Sequence, residues 1–410
     1  MSKDTHNEVV VTGIGCIGSF GLGVAALRQA LATGVANTSE INRSAGYHRK
    51  GSATQAATTG EQDLTPWLSD DDGRRMSQFS QHGVTCARMA LASANLHELP
   101  SERTAVTIAT AFGPGGFTER LALQVLQKGG KFASPFLFTD CVANAAAGQI
   151  AIATGARGAN LTICQREAGP LLAVAQAAND LRLGRADVCL AGAIDELHPL
   201  SHAILDRFRA LARPSTRDGV QEDDVLEERP RPFDQYRNGY LAGDGGTILV
   251  LEREQHAVAR GARILARVGG GARAFDATAP RTGHGTGSAA LAARLRERLG
   301  AHLHEIDAVI SAASGARRGD ALEAEILRLA VPHMPRVLTP KAVTGEFGGG
   351  TIASAMLALA GADFGKPAGC KHEDASLGIE ISAGPVTARQ ILCSAHAAGG
   401  VSSWLTFEKP

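Results

Sequence analysis

Short runs of β-branched and other apolar residues recur along the chain. Most are followed by a glycine-rich turn and then by an alanine- and leucine-rich stretch with helical spacing. Val9–Thr12 leads to Gly13-Ile14-Gly15 and a helix over Val24–Ala32; Ala105–Thr110 leads to Gly113-Pro114-Gly115-Gly116 and a helix over Glu119–Lys128. Leu161–Cys164 precedes a helix from about Gly169 to Leu183, and Asp187–Ala191 reads as the next strand. Strands alternating with helices predict an α/β fold with an at least partly parallel sheet.

The pattern then returns. Asp307–Ala312 reads as a strand, Asp320–Leu329 and Thr351–Ala360 as helices, and Ile391–Cys393 and Trp404–Phe407 as closing strands. The recurrence suggests two similar halves, 1–255 and 256–410, although strand–turn–helix alone is a common order. Pro214–Pro232 is charged, holds three prolines and reads as a surface loop. Residues 35–75, rich in Ser, Thr, Gly and Asp, read as a second excursion.

Composition narrows the partners. The 41 basic and 41 acidic residues cancel, which argues against nucleic acid or an anionic membrane. The seven cysteines are odd in number, form no CxxC and match no zinc spacing, so small buried residues in a reducing compartment are expected. Met1–Glu8 is polar and runs straight into Val9-Val10-Val11, unlike a secretory signal, and Ile352–Ala362 is too short to span a bilayer. A cytoplasmic location is the expectation. Gly13, Gly15 and Gly18 match G-x-G-x-x-G after a strand, but Glu40 is the nearest candidate acid and lies in the polar excursion. A tight turn is therefore the preferred reading over a dinucleotide loop.

Three stretches carry a more specific signal. The first runs from Ser134-Pro135-Phe136 through Val142-Ala143-Asn144 to Gly148, then Gly155-Ala156-Arg157-Gly158. The second is Gly184-Arg185-Ala186-Asp187-Val188 with Ala191-Gly192-Ala193. The third is Arg231-Pro232-Phe233-Asp234, Arg237-Asn238-Gly239-Tyr240 and Gly243-Asp244-Gly245-Gly246, ending in Leu249-Val250-Leu251-Glu252. With Lys341, Thr344-Gly345 and Gly399-Gly400, the chain resembles the β-ketoacyl synthase family over almost its whole length. The resemblance implies a thiolase-like α/β fold, with duplicated halves in a five-layer α-β-α-β-α arrangement, and an obligate dimer.

A ketosynthase that extends chains needs a cysteine thiolate at a helix N-terminus and two neutral histidines that stabilise a thioester enolate. By the family's spacing the nucleophile falls seventeen residues before Gly184, at Glu167. The first histidine falls eight residues before Asp320, at Ala312, and the second five after Lys341, at Glu346. All three reactive groups are replaced, and groups that act as a unit lose nearly everything together. Gln165-Arg166-Glu167-Ala168-Gly169 resembles the chain length factors of bacterial type II polyketide systems, which usually carry glutamine where Glu167 stands. The departure leaves room for a less common system, such as one making aryl polyenes.

The resemblance implies a non-catalytic subunit that pairs with an active ketosynthase and shapes its acyl tunnel. It needs no cofactor, because acyl chains arrive on the phosphopantetheine of an acyl carrier protein. Phe136, Phe138 and Asn144 belong to the implied dimer-interface loop, and Phe112 and Phe117 are candidates for lining the tunnel. Lys341 and Glu323 match a polar network behind the family's active site and are expected to pair. Glu167 and Glu346 should share one small space, with one of them binding a proton or recruiting a cation. A buried Glu167 needs a partner such as Arg166 or an elevated pKa. Arg166 can serve only if its side chain turns inward, since adjacent residues on a strand point to opposite faces. Cys164, three residues before Glu167, should point into the core, and His284, His304 and His396 read as scattered surface histidines. Two alternatives stay open: a malonyl decarboxylase-like enzyme using Glu167, and a homodimeric scaffold docking an acyl carrier protein on Arg207, Arg209 and Arg213.

Overall fold

A computed structural model describes residues 8–214, 227–331 and 333–410. Most of the stretch expected as a loop between Pro214 and Pro232, and residues 1–7, lie outside the described residues.

The apolar runs form one 11-stranded sheet. Its main strands are β1 (Val9–Gly18), β2 (Thr104–Ala109), β3 (Asn160–Ile163), β4 (Val188–Asp195) and β5 (Gly245–Arg253). They continue with β6 (Ala266–Phe275), β7 (Ala308–Ile310), β8 (Arg336–Leu338), β9 (Gln390–His396) and β10 (Val401–Glu408). The order across the sheet is β8-β7-β9-β10-β6-β1-β5-β4-β2-β3, with the two-residue strand Gly21–Leu22 attached to β1.

Numbered within each half, both sets of five run in the spatial order 3-2-4-5-1. In both, the second strand is parallel to the third and fourth, and the fifth is antiparallel to the fourth and first. The chain is therefore a duplicated unit. Among the described residues, the two half-sheets pair edge to edge at Val10 with Arg267 and Val11 with Ala266. The change-over from one set of strands to the other falls in the short helix Glu254–Ala259.

Helices complete the layers. In the first half α1 (Gln78–Ser93) and Ala145–Thr154 pack on one sheet face through Phe79, Val84, Ala146 and Ile150, over Val106, Ile108 and Val250. Counterparts α3 (Ser288–Leu299) and α4 (Arg317–Ala330) bury Leu291, Leu295, Ile326 and Leu327 against the second half. Between the half-sheets lie α2 (Gly169–Arg182) and α5 (Gly348–Leu359), within a core drawn from both halves. Every residue of α5 is buried, so its sequence, apolar or small with Thr351 and Ser354 as its hydroxyls, fits a middle layer rather than an amphipathic surface helix.

One expected turn is not a turn. Gly13-Ile14-Gly15 lies inside β1, fully buried and paired with β5. A Cβ at Gly13 or Gly15 would overlap the carbonyl oxygens of Ala90 and Cys86 on α1. These glycines let helix backbone approach strand backbone; they do not cradle a phosphate. The helix after Gly113–Gly116 likewise begins earlier than expected, at Gly115, so Phe117 sits in its first turn.

The two ends of the sheet differ. At β8, Ser382 covers the edge through hydrogen bonds with Val337, its N–H reaching the carbonyl at 2.9 Å. At β3, no strand among the described residues lies beside the outer edge, and Asn160 and Leu161 are exposed.

Candidate functional site

The positions singled out by spacing come together at the C-terminal ends of the strands, where open α/β folds place their ligands. Glu167 follows β3, Ala312 follows β7, Glu346 follows the short helix Lys341–Thr344 after β8, and His396 ends β9. Glu167, Ala312, Glu346, His284 and His396 line one pocket with Tyr240, Ser314, Ala316, Gly319 and Asp320. About 20 Å³ of it is open to the centre of a water molecule, which is room for about one water.

Glu167 stands in a single 3-10 turn, Arg166–Ala168, immediately before α2. Arg166 takes a left-handed φ of 45°, so it does not continue the strand, and its side chain is not sent to the opposite face. It reaches the Glu167 carboxylate at 3.8 Å instead. That carboxylate also accepts the Ala398 N–H at 3.2 Å, from the loop that holds Gly399 and Gly400. The turn supplies the inward path on which a pairing of Arg166 with Glu167 depends.

Lys341 does not pair with Glu323. Its ammonium bridges both oxygens of Glu346, at 2.8 and 2.9 Å, with the Lys341 side chain 3% and the Glu346 side chain 10% exposed. Burial pushes the Glu346 carboxyl up to about 7; Lys341 opposes the rise and the charge of Glu167 adds to it. The Glu346 backbone is clamped to the third motif, donating to Leu241 at 2.7 Å and accepting from Gly243 at 3.1 Å. Glu167 and Glu346 thus share the pocket as expected, and Lys341 is the cation recruited.

Glu323 has a different set of partners. It accepts Ser311 Oγ at 3.0 Å, the Ala312 N–H at 3.1 Å and Ser394 Oγ, and it meets His396 Nε2 at 2.6 Å. Burial alone would raise its pKa, but His396 and the other donors hold it below the ordinary carboxylate range. His396 uses its second ring nitrogen on Ser402 at 2.8 Å and packs edge-on against Trp404, centroids 5.5 Å apart. Lys341 and Glu323 therefore belong to two separate pairs, because a buried histidine occupies the carboxylate first.

His284 and His396 correct the expectation of surface histidines. His396 is buried, and His284 is half-buried with Nε2 3.1 Å from the His396 carbonyl oxygen. Burial lowers the His284 pKa, favouring the neutral imidazole. Gly319 makes room for that ring, since a Cβ there would lie 3.0 Å from Cε1. His396 had one sequence signal, its place three residues before Gly399-Gly400; His284, in a loop, had none. His304 is exposed as expected. Tyr240, on the pocket wall, has its phenol pushed well above the ordinary value by burial and by both glutamates.

Buried carboxylates fix the surrounding frame. Asp195 accepts the N–H of Ala111 and of Gly348, each at 2.7 Å, tying the start of α5 to β4. Burial pushes Asp195 up to about 6. Asp320 accepts the N–H groups of Phe233 and Ser314 at 2.9 and 3.0 Å, joining the third motif to the turn after β7.

Cys164 is exposed, contrary to the core placement expected from the strand pattern, because β3 ends at Ile163. Five of the other cysteines are buried and Cys141 is half-buried. Phe112, Phe136, Phe138 and Asn144 are exposed, together with Phe132 and Val142. Phe117 is the buried member of the set and stacks on Phe136 with centroids 5.9 Å apart. Arg207 and Arg209 are exposed, while Arg213 pairs with Asp206 at 2.7 Å. Among the described residues, no cluster is arranged to hold a metal ion and no helix is long and apolar enough to cross a membrane.

Residues 6–257 match the model of the β-ketoacyl synthase N-terminal domain. The chain is 28% identical over 429 residues to a 3-oxoacyl-[acyl-carrier-protein] synthase 2 of Vibrio harveyi, covering 100% of this chain and 99% of that one. It is 28% identical over 339 residues to the chloroplastic 3-oxoacyl-[acyl-carrier-protein] synthase I of Arabidopsis thaliana, covering 79% and 68%. Among solved structures, the ishigamide ketosynthase/chain length factor superposes with a TM-score of 0.83 at 24% identity, covering 99% of this chain and 100% of that one. A type II polyketide ketosynthase bound to a hexaketide, in complex with its acyl-carrier protein, gives 0.84 at 22% identity, covering 98% and 99%.

Proposed function

Because the chain belongs to the β-ketoacyl synthase family, we propose that it is a chain-length-factor-like subunit without ketosynthase chemistry of its own. The observation that carries this reading is the filled pocket. The position of the acyl acceptor is a carboxylate held by Arg166 and the Ala398 N–H, and the Lys341–Glu346 pair leaves space for about one water. No thioester forms on a carboxylate, and no acyl thioester fits beside the pair.

The partner is a catalytic ketosynthase of the same fold, fed by an acyl carrier protein, in a system making polyketides or polyenes, aryl polyenes among them. Two features support that partner: the uncovered edge of β3, and the aromatic surface of Phe112, Phe132, Phe136 and Phe138. Unpaired strand edges and contiguous apolar surface are characteristic of protein interfaces. Across such an interface Phe136, Phe138 and Asn144 reach the partner's tunnel, and Phe117 backs Phe136.

The decarboxylase-like alternative gains one observation, the two histidines in the pocket. His396 has both nitrogens engaged and His284 Nε2 is held on a carbonyl, which leaves no pair of free donors for an enolate. One experiment separates the readings. After incubation with an acyl- or malonyl-carrier protein, intact mass should show no adduct, and no carbon dioxide should be released. An acyl adduct at Glu167 or Cys164, or decarboxylation lost in Glu167→Gln, would overturn the non-catalytic reading.

A further inference from the structure

A second cavity, larger than the filled pocket, lies on the other side of α2 and shares no lining residue with it. It opens where β6 parts from β1. After Arg267 no strand among the described residues lies beside the outer edge of β6, although its inner edge stays paired with β10 as far as Phe275. Gly269 and Gly271 line the crevice without side chains; a Cβ at Gly269 would meet Thr406 and Glu408, one at Gly271 the Trp404 carbonyl and Leu405, and one at Gly270 Leu299. The result is a crevice of about 520 Å³, within the range of small-molecule sites.

Its chemistry is one-sided. Four guanidinium groups line it, those of Arg182, Arg273, Arg294 and Arg298, with no aspartate or glutamate among the lining residues. Arg182 donates to the carbonyls of Val268 and Gly269, at 2.6 and 3.2 Å. Arg294 has one carboxylate, the exposed Glu297 at 2.7 Å. Arg273 and Arg298 show no carboxylate partner among the described residues. On a chain whose charges cancel overall, the four guanidiniums outnumber the carboxylates that offset them, Glu297 beside Arg294 and Glu8 acting on Arg182, and the excess favours an anion. Leu171, Leu172 and Ala175 of α2, with Ile163 and Leu405, give the crevice an apolar part beside the polar Gln176 and Asn179.

We propose that this crevice binds an amphipathic oxyanion, a carboxylate or phosphate on a short alkyl tail. Arginine forks take the head and the Leu172–Ala175 face of α2 takes the tail. The site is independent of the filled pocket, so the proposal does not depend on whether the chain is catalytic. Trp404 supplies a reporter, because its backbone lines the crevice while its ring packs on His396.

The test uses the full chain with Trp67→Phe, leaving Trp404 as its one tryptophan. Octanoate, octyl phosphate, inorganic phosphate and octyltrimethylammonium are titrated by calorimetry and by Trp404 fluorescence. One or both octyl anions should bind, and the two arms identify the head group. Inorganic phosphate should bind more weakly and the cation not at all. Arg273→Gln with Arg298→Gln should weaken the anions about tenfold or more, and Leu172→Asp should weaken them without these arginines being touched. Failure of both octyl anions to bind, or affinities unmoved in the folded double variant, would overturn the proposal. If the double variant instead weakens assembly with a ketosynthase and leaves anion binding unchanged, the crevice is a subunit contact and the ligand reading is wrong.

Discussion

Glu346 carries the clearest residue-scale consequence of the filled pocket. Its carboxyl is raised from 4.5 to about 7, so the folded chain holds that proton more tightly than the unfolded chain does. The stabilisation is fully present below the unfolded value and is lost as pH rises through about 7. Asp195 and Asp320, each pushed up to about 6, act in the same direction. Glu346→Gln should therefore flatten the fall in urea midpoint between about pH 5 and pH 8; an unchanged slope would remove Glu346 from the account. Glu323→Ala should cost about 3 kcal/mol or more, because Ser311, Ser394, the Ala312 N–H and His396 would lose a shared buried acceptor. Equilibrium unfolding measures it. Glu167→Cys alone should restore no condensation, since Ala312 and Glu346 still stand at the other two positions. The positions of Glu167, Ala312 and Glu346 were legible from motif spacing. The partners of Lys341 and Glu323 were not, because His396 comes from a strand 73 residues beyond Glu323.

At the scale of elements, periodicity located the strands and helices that alternate plainly, and it misread Gly13-Ile14-Gly15. A glycine in an apolar run signals either a turn or a close backbone approach, and only the helix lying on top decides which. Here α1 lies on top. Gly15→Val should destabilise by about 1–3 kcal/mol or more through overpacking, seen as a lower urea midpoint with unchanged slope. A neutral result would mean that α1 can move away. The pattern also gave no warning that β3 would stop at Ile163, which places Cys164 outside the core and frees Arg166 to turn back on its neighbour.

At the scale of the whole molecule, the duplication was suggested by recurring patterns, and the matching 3-2-4-5-1 order gives it physical form. The uncovered β3 edge and the exposed phenylalanines make the isolated chain an incomplete surface. Phe136→Ser with Phe138→Ser should abolish assembly with a ketosynthase by size exclusion while leaving the circular dichroism of the monomer unchanged. A wild-type chain that stays monomeric at micromolar concentration, both alone and with that partner, would refute the interface. The same edge makes the molecule a clock for its own assembly. Cys164 is the one exposed thiol, placed directly after β3, whereas five of the other six cysteines are buried and Cys141 is half-buried. A chromogenic disulfide reagent should show a single fast phase of one equivalent in the free chain. As partner is added, the amplitude of that phase should fall in proportion to the complex formed, so the stoichiometry can be counted on unmodified protein.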